Sequence, residues 1–326
     1  MAGSGLPIVV VHGVRELNEL PGIERLHGRA EFRTAADGET LQAALSGADV
    51  LLGWQFAAND LEQAWPAADR LRWVQWCGAG VDAALFPAFA ASDVQLTNMR
   101  GIFDRAMAEY ALSLILSFAK DLPRTVRAQT ARHWDYRLTQ LVLGRSALVI
   151  GVGGIGQAIG RTLRANGMEV TGVGRRARGG GAAFERIAGA DELNALLPAH
   201  DFVVLITPLT ESTQGIFSAE RIALMREDAY FINLGRGQLV DEPALAEALT
   251  ERRIAGAGLD VFDAEPLPPS SPFWDLDNVI ISPHMSGDYR GFHADMVGVF
   301  VDNFERYLRG EPLRNVVDKA QGFVPA

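Results

Sequence analysis

Apolar runs and amphipathic stretches alternate along most of the chain. The runs are rich in Val, Ile, Leu and Ala and are typical of strands that are buried on both faces of a sheet. The segments between them carry apolar residues at helical spacing, and this alternation is typical of βαβ units with a parallel sheet. In the first hundred residues it predicts strands over residues 8–11, 50–54, 73–76 and 95–97.

A second series of strands follows a long apolar helix. The helix is predicted over residues 103–119, and a polar segment with several arginines, residues 120–141, comes after it. We interpret this segment as a crossover between two domains. The second series of strands begins at residue 147 and continues at residues 169–173, 202–206, 229–233, 256–260 and 279–282.

A glycine-rich turn follows the first strand of the second series. The sequence ALVIGVGGIG (147–156) runs from an apolar strand into Gly151, Gly153 and Gly156. In a GxGxxG turn the first glycine permits a tight bend, the second lets the backbone approach a pyrophosphate, and the third allows the next helix, here residues 155–166, to pack closely. Glycine turns also occur for purely structural reasons. The strand before this one, the helix after it and the six strands of the series favour a dinucleotide site.

The end of the chain predicts a return to the first domain. A length of 326 residues exceeds one ordinary core, and a last helix over residues 291–309 follows the final strand. We expect a discontinuous substrate domain, residues 1–98 and 291–326, and a dinucleotide-binding Rossmann domain, residues 99–290. The expected fold class is α/β, with two doubly wound parallel sheets and the Rossmann domain inserted into a flavodoxin-like substrate domain.

Composition and net charge limit the classes of molecule that this chain is expected to bind. The net charge is −10 and the basic residues are scattered, which argues against a nucleic-acid or membrane surface and favours small molecules and further copies of the chain. The one cysteine, Cys77, excludes an internal disulfide framework, no ligand cluster suggests a metal, and a reducing cytoplasm fits. Residues 1–13 resemble a first strand more than a signal peptide, and no apolar run is long enough to span a bilayer.

The choice between the two nicotinamide dinucleotides depends on the end of the second strand. The position where an Asp or Glu would bind the ribose of NAD is Gly174, and Arg175 and Arg176 follow it. An arginine there can hold a 2′-phosphate through a bidentate contact, although two arginines at a solvated strand end also favour solubility. We expect NADP(H), with NAD(H) as the alternative.

Three later segments carry residues suited to hydride transfer, each at the end of a predicted strand. Arg236 can bind a carboxylate, His284 can give or take a proton near neutral pH, and Glu265 can hold the imidazole in its charged form. Each has a plainer interpretation as a turn, loop or solvated residue. Their joint placement at successive strand ends, where ligands bind in an open parallel sheet, favours the catalytic one. Asp260 is placed to bind the nicotinamide amide or to support the site.

The order of four motifs resembles the D-isomer-specific 2-hydroxyacid dehydrogenase family over nearly the whole chain. The motifs are GVGGIG (151–156), INLGRG (232–237), GLDVFDAEP (258–266) and SPH (282–284). The resemblance implies a catalytic Arg, Glu and His set, a discontinuous substrate domain, a cleft that closes on the substrate and a homodimer. It also implies that Thr207 and Pro208 line the nicotinamide pocket.

The resemblance extends to the first domain and to the glyoxylate and hydroxypyruvate reductase subgroup. Residues 77–82 resemble the family's carboxylate-binding loop, in which the N–H groups of Ala79 and Gly80 would hold the substrate, and Trp54 resembles a pocket-lining tryptophan. A plain glycine turn and an ordinary core residue are the alternatives. The tail after His284 resembles the same subgroup, with Met285 and Ser286 beside the histidine and Arg290 as a further candidate.

The hypothesis is a reductase that passes hydride from NADPH to C2 of a small 2-oxo acid and forms a D-2-hydroxy acid, or a 2-hydroxy acid without a chiral centre. A dinucleotide-sensing binding protein of the same fold and a phosphoglycerate dehydrogenase-like enzyme are the alternatives. Cys77 lacks a base, and we interpret the remaining histidines as structural or solvated: His12, His27, His133, His200 and His293. The candidate cofactor-binding residues are Gly151, Gly153, Gly154, Ile155, Gly156, Arg175, Arg176, Thr207, Pro208, Leu234, Gly235, Asp260 and Ser286.

Overall fold

The structure is a computed structural model that describes residues 5–55 and 59–325. The first four residues of the N-terminal segment interpreted above lie outside this part. The chain forms two compact units: unit 1 comprises Met1–Ile102 and Tyr289–Ala326, and unit 2 comprises Phe103–Asp288. The sequence predicts domain limits at residues 98 and 291. Among the described residues no helix combines the length and apolar character needed to cross a membrane.

Unit 1 is built on a five-stranded parallel sheet in the order β2-β1-β3-β4-β5, the order of flavodoxin-like sheets. Its strands are β1 (Ile8–His12), β2 (Glu31–Ala35), β3 (Val50–Gly53), β4 (Trp73–Trp76) and β5 (Gln95–Thr97). The sequence pattern does not predict β2. Because this strand is at the edge and most of its residues are partly exposed, it lacks the continuous apolar run of its neighbours.

The helices of unit 1 are α1 (Gly38–Leu45), α2 (Asp60–Ala64), α3 (Pro87–Ala90) and, from the end of the chain, α10 (Phe292–Arg309). The buried residues of α10 recur at helical spacing and include Met296, Phe300 and Phe304. The ring of Phe300 stacks on Trp73 of β4 with the centroids 5.5 Å apart. Burial of each such side chain contributes about 1.5–3 kcal/mol, which ties the C-terminal helix to the first sheet.

Unit 2 contains an eight-stranded sheet in the order β13-β12-β11-β10-β6-β7-β9-β8, parallel except for the pair β8 and β9. Its strands are β6 (Ser146–Ile150), β7 (Glu169–Val173), β8 (Arg178–Gly179), β9 (Arg186–Ala188), β10 (Phe202–Leu205), β11 (Tyr230–Asn233), β12 (Gly256–Leu259) and β13 (Val279–Ile281). Without the edge pieces β8 and β13, this is the doubly wound order of a dinucleotide-binding sheet. The α/β class with two doubly wound parallel sheets is confirmed.

The helices of unit 2 are α4 (Asp104–Ala119), α5 (Leu122–Thr130), α6 (Gly154–Ala165), α7 (Leu193–Leu196), α8 (Ala219–Ala223) and α9 (Glu242–Thr250). The interpretation of residues 120–141 as a crossover between domains is wrong, because the segment lies wholly within unit 2 and begins with α5. In the glycine-rich stretch 179–181, Gly179 belongs to β8 and Gly180 is buried.

The register brings five strands of unit 2 to one edge. Ile150 pairs with Leu205, Leu205 with Asn233, Asn233 with Leu259, and Leu259 with Ile281. These residues close β6, β10, β11, β12 and β13 in turn. The segments that follow the five strands therefore start at the same carboxyl edge of the sheet.

Candidate active site

The glycine turn after β6 has the shape that a dinucleotide needs. Gly151 adopts a φ of +113°, which a residue with a side chain rarely adopts, and a Cβ on Gly156 would overlap the carbonyl oxygen of Gly151. Helix α6 therefore begins in close contact with the turn. A Cβ on Gly153, at the N-cap of α6, would meet no atom within 4 Å. Backbone N–H groups at the start of α6 thus border open space, and the turn fits a pyrophosphate.

The end of β7 has no carboxylate for a ribose. A Cβ on Gly174 would lie 2.8 Å from a methyl group of Val152, so even a short acidic side chain would displace its neighbour. Arg175 and Arg176 follow and are exposed, as is Arg178 in β8, which the sequence pattern does not single out. This corner of unit 2 therefore presents guanidinium groups where an NAD-specific site would present an acid.

His284 and Glu265 form a hydrogen-bonded ion pair. Nδ1 of His284 lies 2.8 Å from Oε2 of Glu265, and the other carboxylate oxygen accepts a hydrogen bond from the N–H of Phe262 at 2.9 Å. Burial raises the pKa of Glu265, but the bonds from His284 and Phe262 and the positive charge of Arg236 outweigh burial, so the pKa lies below its usual value. Glu265 is therefore ionised at neutral pH, and its carboxylate fixes the orientation of the imidazole ring.

The segment that carries His284 is anchored by Asp260. The carboxylate of Asp260 is fully buried and accepts hydrogen bonds from the hydroxyl of Ser282 at 2.6 Å, from the N–H of Met285 at 3.0 Å and from the N–H of Ser286 at 2.9 Å. The backbone of His284 has a φ of +51°, and its N–H donates to the carbonyl of Asp260. These bonds hold the histidine in an otherwise unfavourable backbone conformation. Asp260 is expected either to bind the nicotinamide amide or to support the site, and the contacts observed are those of a supporting residue.

Arg236 lies on the loop after β11. The loop is braced by Asn233, whose amide donates to the carbonyl of Arg236 at 2.9 Å and whose oxygen accepts from the N–H of Gly235 at 3.1 Å. A Cβ on Gly237 would overlap the backbone of Phe262, so this loop passes directly against the segment that leads to Glu265. Arg236 is half-buried, and its charge acts on Glu265. The structure thus brings Arg236, Glu265 and His284 together after three adjacent strands.

The other candidates of unit 2 border the same edge. Thr207 and Pro208 follow β10, half-buried and exposed respectively, and a Cβ on Gly235 would lie 3.2 Å from the carbonyl oxygen of Thr207. Leu234 and Ser286 are buried. These positions surround the space in front of the carboxyl ends of β10 and β11, where an open parallel sheet binds its ligand.

Unit 1 has a carboxyl edge of its own, formed by β1, β3 and β4. Trp54 follows β3 and is half-buried, and its backbone N–H donates to the carbonyl of His12 at 3.0 Å. The loop with Ala79 and Gly80, both half-buried, follows the neighbouring strand β4. His293, in the first turn of α10, places its ring 5.2 Å from that of Trp54. The interpretation of His293 as merely structural or solvated misses this contact, and only the fold brings the two residues together. Arg290 is exposed in the segment before α10.

Two further histidines and the cysteine are buried within the fold. Burial lowers the pKa of His12, which pairs with Asp60 at 3.0 Å, and that of His200, whose ring bonds the carbonyl of Leu196. Burial also raises the pKa of the Cys77 thiol far above its ordinary value, so this residue is not a nucleophile. Among the described residues no group of His, Cys, Asp and Glu side chains could hold a metal ion.

Comparison with known proteins relates this chain to one family of dehydrogenases. The family model described as "D-isomer specific 2-hydroxyacid dehydrogenase, NAD binding domain" matches residues 112–286. D-3-phosphoglycerate dehydrogenase of Methanocaldococcus jannaschii is 31% identical over 89% of this chain, which spans only 56% of that protein. Glyoxylate reductase of Korarchaeum cryptofilum is 33% identical over 78% of each chain.

A solved structure agrees over almost the entire chain. The NADPH-dependent glyoxylate/hydroxypyruvate reductase of Sinorhizobium meliloti, in complex with NADP and sulfate, is 30% identical, with a TM-score of 0.83 over 98% of this chain and 100% of that one. The resemblance stated from four motifs is confirmed. The chain belongs to the D-isomer-specific 2-hydroxyacid dehydrogenase family of oxidoreductases.

Proposed function

We propose that this protein is an NADPH-dependent reductase of small 2-oxo acids of the glyoxylate and hydroxypyruvate type. The observation that carries the proposal is the 2.8 Å pair of His284 and Glu265 at the same strand edge as Arg236. That edge also carries the glycine turn. A proton donor, a group that keeps the donor charged and a cation for an anionic substrate are what the reduction of a 2-oxo acid requires.

The side chains divide the work as follows. When bound, the cofactor supplies a hydride to C2 of the substrate. Nε2 of the His284 imidazolium donates its proton to the oxygen at C2, which becomes the hydroxyl group, and Glu265 stabilises the charge on the ring until that transfer. The guanidinium of Arg236 binds and orients the 2-oxo acid through its anionic end. In the direction of oxidation the neutral imidazole accepts the proton instead.

The preference for NADP(H) rests on the end of β7. Gly174 leaves no carboxylate to repel a 2′-phosphate, and the exposed Arg175 and Arg176 carry the charge to bind one. The relative from Sinorhizobium meliloti is described as NADPH-dependent and in complex with NADP, which supports this preference. NAD(H) is the alternative cofactor.

Substrate recognition is assigned to unit 1. The N–H groups of Ala79 and Gly80 would bind the carboxylate of the 2-oxo acid, and Trp54 with His293 would border the substituent at C3. An aromatic pair of this kind would limit the size of the substituent.

The experiment that tests this function is the oxidation of NADPH and of NADH by glyoxylate, hydroxypyruvate, pyruvate and phenylpyruvate. We expect turnover with the smaller acids, faster with NADPH. Binding of NADPH without turnover of any acid would favour the dinucleotide-sensing alternative. Oxidation of 3-phosphoglycerate in preference to reduction of these acids would favour the phosphoglycerate dehydrogenase-like alternative.

We also propose a homodimer, formed through the segment 122–143, which we call the arm. Its conformation is fixed by Arg137, which pairs with Asp121 at 2.6 Å, and by a pair between Arg124 and Asp135 at 2.7 Å. Yet the arm exposes large apolar side chains: Leu122, Val126, Trp134 (93% exposed), Tyr136, Leu138, Leu141 and Leu143. An ordered surface with so many exposed apolar residues is typical of a protein interface.

The molar mass of the protein in solution, measured by light scattering as it elutes from a size-exclusion column, tests the dimer. The unmodified chain should elute with the mass of two chains, and a variant with Trp134→Ser and Leu138→Ser should shift to the mass of one.

A cytoplasmic location is proposed as well, supported by the single, buried cysteine.

A further inference from the structure

The loop that follows β4 in unit 1 is oriented by two hydrogen bonds to one neighbouring segment. The N–H of Met99 donates to the carbonyl oxygen of Gly78 at 3.1 Å, and Nδ2 of Asn98 donates to the carbonyl oxygen of Ala79 at 2.7 Å. Asn98 and Met99 follow β5, which pairs with β4. Both carbonyl groups therefore point to the same side of the loop, toward residues 98 and 99.

The direction of these carbonyls determines where the N–H groups point. Among the described residues the one cis peptide bond is Glu265–Pro266, so the two peptide groups concerned are trans. In a trans peptide the C=O and the N–H point in opposite directions. The N–H groups of Ala79 and Gly80 hence both point away from Asn98 and Met99. Neither has an acceptor within residues 5–55 and 59–325. Neighbouring N–H groups turned to one side form a concavity that binds anions.

Asn98 is held firmly in this arrangement. The residue is only 4% exposed, and its side-chain oxygen Oδ1 accepts a hydrogen bond from the backbone N–H of Arg100 at 3.1 Å. With the oxygen occupied on one side, the amide NH₂ is directed to Ala79 on the other. The Ala79–Gly80 peptide therefore takes its orientation from a locked side chain and not from the loop alone.

We propose that Asn98 is a positioning residue for substrate binding, which turns the Gly80 N–H, together with the Ala79 N–H, toward the carboxylate of the 2-oxo acid. This inference rests on the function proposed above. The carboxylate does not change during hydride transfer, so its contacts are equally strong before and in the transition state. Loss of such a contact raises KM and leaves kcat nearly unchanged.

Two variants remove the donor in different ways. Asn98→Asp keeps the shape of the side chain and the acceptor for Arg100, whereas Asn98→Leu removes both polar atoms without adding charge. For both we expect KM for pyruvate, or for whichever acid of the panel is turned over fastest, to rise by about 10- to 100-fold, with kcat within threefold of the unmodified enzyme.

A matched control comes from the other side of the same segment. Nδ2 of Asn315 donates to the carbonyl of Arg100 at 2.9 Å and to that of Asn98 at 3.4 Å, and the N–H of Asn98 donates to the carbonyl of Asn315 at 3.2 Å. Asn315 thus contacts the backbone of Asn98 but, among the described residues, has no hydrogen bond to the Asn98 side chain or to the loop of Ala79 and Gly80. Asn315→Asp should therefore leave KM within threefold. A second control is the methyl ester of the same 2-oxo acid, which lacks the carboxylate charge. Its kcat/KM should change by less than threefold in both Asn98 variants.

The outcomes separate this inference from the proposed function. If the unmodified enzyme reduces 2-oxo acids but the Asn98 variants keep its KM, the inference is wrong and the function stands. An equal loss with the acid and its ester would show a general structural role and would also overturn it, as would an effect of Asn98→Asp that Asn98→Leu does not share. If the unmodified enzyme reduces none of the acids, both proposals fail.

Discussion

The carboxyl edges of the two sheets are equipped differently. In unit 2 the edge carries charged side chains, Arg236, Glu265 and His284. A hydrogen bond from Asn233 holds the backbone of Arg236, and Glu265 is hydrogen-bonded to His284 and to the N–H of Phe262. In unit 1 the corresponding edge carries backbone N–H groups at Ala79 and Gly80 and aromatic rings at Trp54 and His293.

This difference implies a division of labour between the two units. Charged groups with controlled protonation serve a chemical step, whereas oriented dipoles and apolar rings serve recognition of a substrate. Substitutions of His284 and Glu265 in unit 2 should therefore change kcat, and substitutions at the carboxyl edge of unit 1 should change KM and specificity.

The largest effect is expected from His284→Gln. Glutamine keeps a hydrogen-bonding side chain but cannot donate a proton as an acid, so kcat should fall by about 10²- to 10⁴-fold. The Kd for NADPH, measured by quenching of protein fluorescence, should stay within threefold, because the glycine turn is unchanged. His200→Gln, at a buried histidine of the same unit, is the control. Unchanged turnover in His284→Gln would remove the histidine from the mechanism.

Glu265→Gln should come next, with a fall in kcat of about 10- to 100-fold at neutral pH. The neutral amide no longer places a negative charge beside the ring that donates the proton, so the kcat profile for reduction should lie below that of the unmodified enzyme across the neutral pH range. The matched control is Glu242→Gln, a carboxylate near Glu265 in space that accepts from the N–H of Asp263 and not from His284. A profile in Glu265→Gln that coincides with that of the unmodified enzyme would contradict the pairing.

The acid side of the same profile follows from the Glu265 carboxyl group. Its pKa in the folded enzyme lies below the ordinary value of 4.5, so the contribution of the ion pair is complete above that value and is lost only as the pH falls through the lowered pKa. We expect no loss of kcat from this group between pH 7 and about pH 5. A carboxylate that titrates in that interval, followed by ¹³C NMR of labelled glutamate, would show that the ion pair is weaker than the geometry indicates.

The cofactor corner should give a smaller and more selective effect. In a variant with Arg175→Ala and Arg176→Ala, kcat/KM for NADPH should fall by about 10- to 100-fold, because charge-assisted contacts with the 2′-phosphate are lost. The value for NADH should change by less than threefold. Arg161→Ala, an exposed arginine of α6, serves as the control. Equal losses with the two cofactors would mean that these arginines do not read the 2′-phosphate.

The smallest effect is expected in unit 1. Removal of the ring in His293→Ala should change the ratio of kcat/KM for hydroxypyruvate to that for glyoxylate by about two- to tenfold, the size of one aromatic contact. Turnover of glyoxylate should remain within twofold. His27→Ala, an exposed histidine of the same unit, is the comparison. An unchanged ratio would remove the pair of Trp54 and His293 from the specificity of the enzyme.

Much of unit 2 could be predicted from the sequence because its candidate site residues lie in short contiguous motifs. The glycine turn and Arg236, Glu265 and His284 each follow an apolar strand, and parallel strands bring their ends to one edge whatever the loops between them do. Strands β2, β8 and β9 escaped the pattern because they are partly exposed or only two to five residues long. The arm was misinterpreted because polarity alone does not distinguish a linker from an ordered surface.

The edge of unit 1 was harder to predict for a different reason. Asn98 bonds a residue 19 positions away, and His293 contacts Trp54 across most of the length of the chain. Neither residue is part of a motif with its partner, and a single asparagine or histidine has many structural roles. The close contact becomes visible only when the C-terminal helix α10 and strand β3 are placed in one unit.

The division of labour is tested most directly by kcat and KM for one 2-oxo acid, measured in the same assay on His284→Gln, Asn98→Leu and the double variant. We expect a loss confined to kcat in the first, a rise confined to KM in the second, and a loss of kcat/KM in the third equal to the product of the two. A fall in kcat in Asn98→Leu as large as its rise in KM, or a double variant no worse than His284→Gln alone, would contradict it.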